Sequence, residues 1–155
     1  MKYKRLTSEE LQALEPDFIT FLASMQITGP DWEKMKKEEN TKASELIDVF
    51  SDLVYDKVLG KINYLEYRDE KTLNIFYFGP DKMQLVGLRV KENSPLDLTA
   101  PDVLNQWNSA NNASVNIVRS EKGYEKEKQS EVFELLQNGC LITDDRLFKI
   151  LSSVV

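Results

Sequence analysis

The spacing of apolar residues changes at Gly60, and this change constrains the fold more than any other feature of the sequence. Before Gly60 the apolar residues recur every three or four positions, which is typical of amphipathic helices. Beyond it, apolar and polar residues alternate in three runs, 62–67, 73–78 and 83–90, joined by connections short enough for hairpins. Helices followed by hairpin-linked strands indicate an α+β protein. We predict N-terminal helices packed on an antiparallel meander of three to four strands, with C-terminal helices.

Capping residues divide the N-terminal part of the chain into helices. Thr7 and Glu10 form a capping box before an apolar stripe, in which Pro16 predicts a kink or a break near Leu14. A stop and a restart follow at residues 28–31, which read Thr-Gly-Pro-Asp. The apolar stripe consists of Leu11, Leu14, Phe18, Leu22 and Met25.

The longest predicted helix begins at Thr41 and ends near Gly60, and it carries one broad apolar face. That face consists of Leu46, Ile47, Phe50, Leu53, Val54 and Val58.

The pattern beyond the meander is mixed. Residues 99–107 resemble a helix start, and residues 114–119 favour a fourth strand. An amphipathic helix is stopped at Asn138-Gly139, and residues 143–145 cap a final helix. A chain of 155 residues can bury about 70% of its unfolded surface, so we predict a single globular domain over residues 1–155.

The composition excludes several classes of enzyme. The sequence contains no histidine and one cysteine. It therefore has no Ser-His-Asp or Cys-His arrangement, no His-ligated metal and no intrachain disulfide. Its six glycines are isolated from one another, so it has neither a P-loop nor a dinucleotide-binding motif. We predict no catalytic residue, no metal and no cofactor.

Charge and hydropathy limit the partners and the location. The net charge is −6 and the pI is about 4.8, which disfavours nucleic acid as a partner. No run approaches 18 apolar residues, and the basic start is not followed by the apolar core of a signal peptide. We therefore expect a cytoplasmic protein with no contact to a membrane.

Four carboxylates follow one another on the longest predicted helix: Glu45, Asp48, Asp52 and Asp56. Their spacings of 3, 4 and 4 residues place them on one stripe, roughly opposite the apolar face. A solvated face explains this stripe, and docking to a basic partner or binding of a divalent cation are the alternatives.

Two tryptophans and the cysteine complete the candidate residues. Trp32 lies beside the lysines at 34, 36 and 37, and Trp107 is surrounded by asparagines. Each is a candidate anchor for a partner, although a core tryptophan with solvated neighbours explains the first and a helix end explains the second. Cys140 has no histidine to activate it and is interpreted as a buried, inert thiol, with reactivity as the alternative.

Several segments resemble a family of short bacterial proteins of unknown function, found chiefly in the Bacteroidetes. The matching segments are 1–7, 18–24, 31–34, 46–52, 82–90 and 147–149, so the resemblance covers almost the whole chain. It implies a single-domain protein in a bacterial cytosol, and it implies no catalytic or ligand-binding residue.

Two functional hypotheses follow. The first is a small interaction or regulatory protein, binding a protein partner or a second copy of itself through the acidic stripe with Trp32 or Trp107. The second is a His-independent enzyme or small-ligand binder that uses carboxylate, tyrosine and lysine groups in a cleft between sheet and helices. The strand residues that would line such a cleft are Glu66, Tyr64, Tyr67 and Tyr77.

Overall fold

A computed structural model of the chain describes residues 1–101, 103 and 114–153. It divides into two compact units, Met1–Val58 (unit 1) and Leu59–Val155 (unit 2). The single domain over residues 1–155 stays a prediction.

Unit 1 is built from helices. Their bounds are α1 Ser8–Ala13, α2 Glu15–Ser24, α3 Gly29–Glu38 and the greater part of α4 Asn40–Gly60. The break predicted at Leu14 is confirmed, because Leu14 ends α1 and precedes α2, with Pro16 in the first turn of α2. Capping boxes begin α1 at Thr7 and α3 at Thr28.

The core of unit 1 is centred on Phe50, which is 4% exposed. Its ring lies 5.0 Å from that of Phe18 and 5.4 Å from that of Phe21, both on α2. The predicted apolar faces are only partly buried, since Leu53 and Val58 are about half exposed.

Unit 2 contains the sheet. Its elements are β1 Tyr64–Arg68, β2 Thr72–Phe78, β3 Lys82–Val90, β4 Val115–Gly123, α5 Lys128–Gln137, β5 Leu141–Ile142 and α6 Arg146–Ser153. The strands form one antiparallel sheet in the order β4-β3-β2-β1-β5. The α+β class, the meander and the two C-terminal helices are therefore confirmed.

One face of this sheet forms the core of unit 2. Leu73 and Ile75 of β2 pair with Leu88 and Val86 of β3, and all four side chains are buried. Leu151 of α6 packs in the same cluster. Alternation places Leu65 and Phe78 on the other face, where both are buried as well.

Two features of the sheet differ from the prediction. Strand β4 extends to Gly123, beyond the predicted 114–119, because its pairing with β3 continues through residues 120–123, which are all exposed and show no apolar alternation. The fifth strand was missed, since Leu141 and Ile142 are too few to show a period. The helix predicted over residues 99–107 falls largely outside the described residues.

Candidate functional site

The acidic stripe of α4 holds a segment of the chain itself. Residues Lys2–Leu6, which we call the strap, are anchored to this helix by several hydrogen bonds. The backbone N–H groups of Lys2 and Tyr3 donate to the Oδ2 and Oδ1 atoms of Asp52, at 2.7 and 3.0 Å. Hydrogen bonds to an ionised acceptor are among the stronger ones in proteins. Asp52 therefore fixes the backbone at the start of the strap.

The neighbouring carboxylates hold strap side chains. Arg5 donates from Nε to Oδ1 of Asp48 at 2.6 Å. The hydroxyl of Tyr3 donates to Oδ1 of Asp56, and Nζ of Lys2 lies 3.2 Å from the same oxygen. Asp52 and Asp56 thus both hold Lys2 and Tyr3, whereas Asp48, nearer the start of α4, holds Arg5, so the strap runs antiparallel to the helix.

The strap ends in a buried anchor. The backbone N–H of Leu6 donates to Oγ of Ser51 at 3.0 Å, and that hydroxyl donates in turn to the carbonyl of Ile47 at 2.7 Å. Ser51 is fully buried and Leu6 is 5% exposed. A buried N–H without a partner is costly, so Ser51 specifies where the strap meets the helix.

The fourth carboxylate behaves differently. Glu45 is exposed and, among the described residues, contacts no part of the strap. Only Glu45 therefore fits the solvated face, while Asp48, Asp52 and Asp56 are half-buried under the strap. In the described part of the chain, no group of three or more acidic or cysteine side chains is placed to hold a metal ion.

The strap contacts shift the acidity of the groups that make them. The hydrogen bond from Arg5 lowers the pKa of Asp48, and the hydrogen bond from the Tyr3 hydroxyl lowers the pKa of Asp56. Burial, followed by the hydrogen bond to Asp56, raises the pKa of Tyr3.

These shifts give a testable pH dependence. Because both carboxyl pKa values are depressed in the folded protein, the strap contacts contribute fully above the unfolded Asp value of about 3.9 and are lost as the pH falls through the lower folded values. We expect carboxyl ¹³C titrations to give Asp48 and Asp56 pKa values below about 3.9, and Arg5→Ala to return Asp48 toward it. An Asp48 pKa at or above 3.9 in the unaltered protein would contradict the strap contact.

Trp32 belongs to an aromatic cluster in unit 1. Its ring meets that of Phe18 edge-on, with 5.1 Å between the ring centres and 79° between the ring planes. The Phe18 ring in turn contacts that of Phe50. Nζ of Lys36 lies 6.0 Å from the centre of the Trp32 ring. Trp32 is half-buried, so one side of the indole packs in unit 1 and the remainder reaches its surface.

An open groove of about 480 Å³ lies beside Trp32, and we call it the Trp32 groove. Its walls come from α1, α2 and α3. It is lined by Ser8, Leu11, Gln12, Glu15, Phe18, Ile19, Leu22, Ile27, Gly29, Trp32, Glu33 and Lys36. Ile19 is 58% exposed there, so its side chain adds apolar surface to the groove.

Acidic residues outnumber basic ones around the groove. Between residues 6 and 33 the sequence has six carboxylates and neither Lys nor Arg. Three charged residues line the groove. Lys36 and Glu33 form an ion pair at 2.9 Å, and Glu15 is the third. The groove residues other than Trp32 were not predicted. The excess of acidic over basic residues in this segment is, however, visible in the sequence.

The other candidate residues of the first hypothesis contribute less. Lys34 pairs with Glu38 at 3.9 Å. The side chains at 34 and 36 are largely exposed, as expected if the lysine cluster faces solvent. Trp107 and its neighbouring asparagines lie outside the described residues.

The side chains named for the second hypothesis do not converge. Tyr64 and Tyr77 share one face of the sheet, where their rings lie 5.7 and 5.6 Å from that of Phe148. Tyr67 lies on the opposite face and donates to Asp69. Glu66 is 3.1 Å from Nη2 of Arg68.

A cleft of about 530 Å³ does lie in unit 2 between β3, β4 and α6. Its charged groups maintain the structure around it. Arg119 donates from Nη2 to the carbonyls of Leu151 and Ser152, both at 3.2 Å, and so caps the end of α6. Glu121 is 2.7 Å from Nζ of Lys82 on the paired strand. An enzyme or small-ligand site in this cleft stays a prediction with no observation in its favour.

Cys140 is 6% exposed, and burial raises the pKa of its thiol. Both facts favour the inert thiol over the reactive one.

Among the described helices, none is both long and apolar enough to cross a bilayer. The structure defines an α+β protein with a five-stranded antiparallel sheet. The chain belongs to a family of unknown function, DUF6495, whose model matches residues 1–155. Searches of curated proteins and of solved structures found no match.

Proposed function

We propose that this is an interaction protein whose Trp32 groove binds an amphipathic helix of a protein partner. One observation carries the proposal: an open groove with a largely apolar lining is formed by residues 8–36, a stretch in which six carboxylates outnumber two lysines. A partner that fits must supply large apolar side chains for the groove and positive charge for its surroundings.

The size and shape of the groove fit a helix better than an extended peptide. Helix-in-groove complexes bury apolar residues at i, i+3, i+4 and i+7, and about 480 Å³ accommodates a few such side chains. The groove lies between helices, so it offers no sheet edge to which an extended peptide could add as a strand. Of the aromatic residues in the groove, we expect Trp32 to contribute most to the free energy of binding.

Several wider expectations belong to this proposal. The partner is a protein or a second copy of the chain, located in a bacterial cytoplasm, and nucleic acid is disfavoured by the acidic groove walls. The carboxylates Asp48, Asp52 and Asp56 take part only through the strap, while Glu45 remains available on the surface of α4.

The test uses a probe of the stated chemistry. It is a helical peptide of about 20 residues with Leu at i, i+3, i+4 and i+7 and Lys between, compared with a peptide of equal charge in which Ala replaces Leu. We expect calorimetry to show the Leu peptide binding at least about tenfold more tightly, because burying even one Leu contributes about 1.5–3 kcal/mol. Equal affinities would show attraction by charge alone and would overturn the proposal.

A further inference from the structure

We infer that the strap regulates the Trp32 groove by holding α1, one of its three walls, in position. This inference rests on the proposed function of the groove and adds a mechanism that controls it. The position of α1 depends on the contacts around it, because this helix is short.

Helix α1 is short, and it contacts α2, which follows it directly after Leu14. It is six residues long, and every one of them is exposed or half-buried. A helix this short is not stable alone in water, so its position depends on contacts made around it. Ser8, Leu11 and Gln12 of this helix line the groove.

Packing against α4 supplies only part of those contacts. An open pocket of about 270 Å³ borders the two helices, lined by Leu6, Glu10, Ala13 and Leu14 on one side and by Val54, Tyr55 and Val58 of α4 on the other. The α1–α4 contact is therefore loosely filled where it faces this pocket.

The strap supplies what this packing lacks. Leu6 is buried and bound to Ser51, and the next residue, Thr7, is the N-cap of α1. Asp52 and Asp48 fix the strap further back along α4. Releasing the strap frees the N-terminal end of α1, while the other end stays joined to α2 at Leu14, and the wall that carries Leu11 can then tilt away from Trp32.

The test compares two single substitutions on α4. Asp52→Ala removes the acceptor for two backbone N–H groups of the strap, while Glu45→Ala removes the same charge from the same helix without touching the strap. Two measurements detect release of the strap. They are the initial rate of trypsin cleavage after Lys2, Lys4 and Arg5, and the acrylamide quenching of Trp32 fluorescence in a Trp107→Phe background.

We expect Asp52→Ala to speed the N-terminal cleavage about fivefold or more and to raise the quenching constant of Trp32 about twofold, because both require local opening. Glu45→Ala should leave both unchanged. Faster cleavage with unchanged quenching would overturn the inference, since the strap would then open without moving the wall. Unchanged cleavage, or equal effects in the two variants, would overturn it as well.

The result is separable from that of the proposed function. If the Leu peptide fails to bind the unaltered protein, the proposed function fails, yet the quenching of Trp32 still decides whether the strap holds the wall. If the peptide binds, its affinity should fall about tenfold in Asp52→Ala and stay unchanged in Glu45→Ala. Equal affinity for Asp52→Ala and the unaltered protein would overturn the regulatory role.

Discussion

Phe50→Ala is expected to lower the free energy of unfolding by about 3–5 kcal/mol, the largest effect on stability that we predict. Phe50 is 4% exposed, and its ring meets those of Phe18 and Phe21 at about 5 Å. Removing it leaves a cavity under α2 that the surrounding rings can fill only in part. Urea unfolding followed by circular dichroism measures the change.

The matched control lies three residues further along the same helix. Leu53 is 52% exposed, so Leu53→Ala should cost less than about 1 kcal/mol. Similar losses for the two variants would show that Phe50 is not the centre of unit 1. The same experiment bears on function, because Phe18 rests on Phe50 and lines the Trp32 groove.

Trp32→Ala is expected to weaken binding of the Leu peptide by at least about 30-fold, which corresponds to the 2 kcal/mol or more of an interface hot spot. The indole lines the groove and is fixed edge-on against Phe18, so it offers a large apolar surface that is already ordered. Isothermal calorimetry gives the dissociation constants.

Because Trp32 also supports the aromatic cluster, a second variant keeps this prediction testable. Ile19 lines the groove and is 58% exposed, so Ile19→Ala should leave the stability within about 0.5 kcal/mol and still weaken the peptide about fivefold. Lys37→Ala, on the exposed part of α3, is the control and should have no effect. Unchanged affinity for both groove variants would place the peptide elsewhere.

Local features of the sequence predicted most of the helices and strands. Pro16 marked the break at Leu14, and the alternation after Gly60 marked three of the five strands. Both signals depend only on residues that are close together in the sequence. The strand at Leu141-Ile142 was missed because its partner Leu65 lies 77 positions away, and two residues carry no period.

The strap was not predicted for a similar reason. A row of carboxylates at helical spacing has the same appearance whether it faces water or a segment 43 to 54 residues distant. The basic residues at 2, 4 and 5 were read only as a poor signal sequence, and their charge complementarity to α4 was overlooked. Trp32 is both packed and surface-lining, and a single sequence position does not distinguish these roles.

The most direct test of the central claim is to map the Leu peptide onto the protein by NMR. With the two indole resonances assigned through Trp107→Phe, the account predicts that titration shifts the indole N–H of Trp32 together with the backbone amides of Leu11 and Ile19. It further predicts that the Ala peptide of equal charge leaves these resonances in place. Shifts confined to unit 2, or equal shifts with both peptides, would contradict binding in the Trp32 groove.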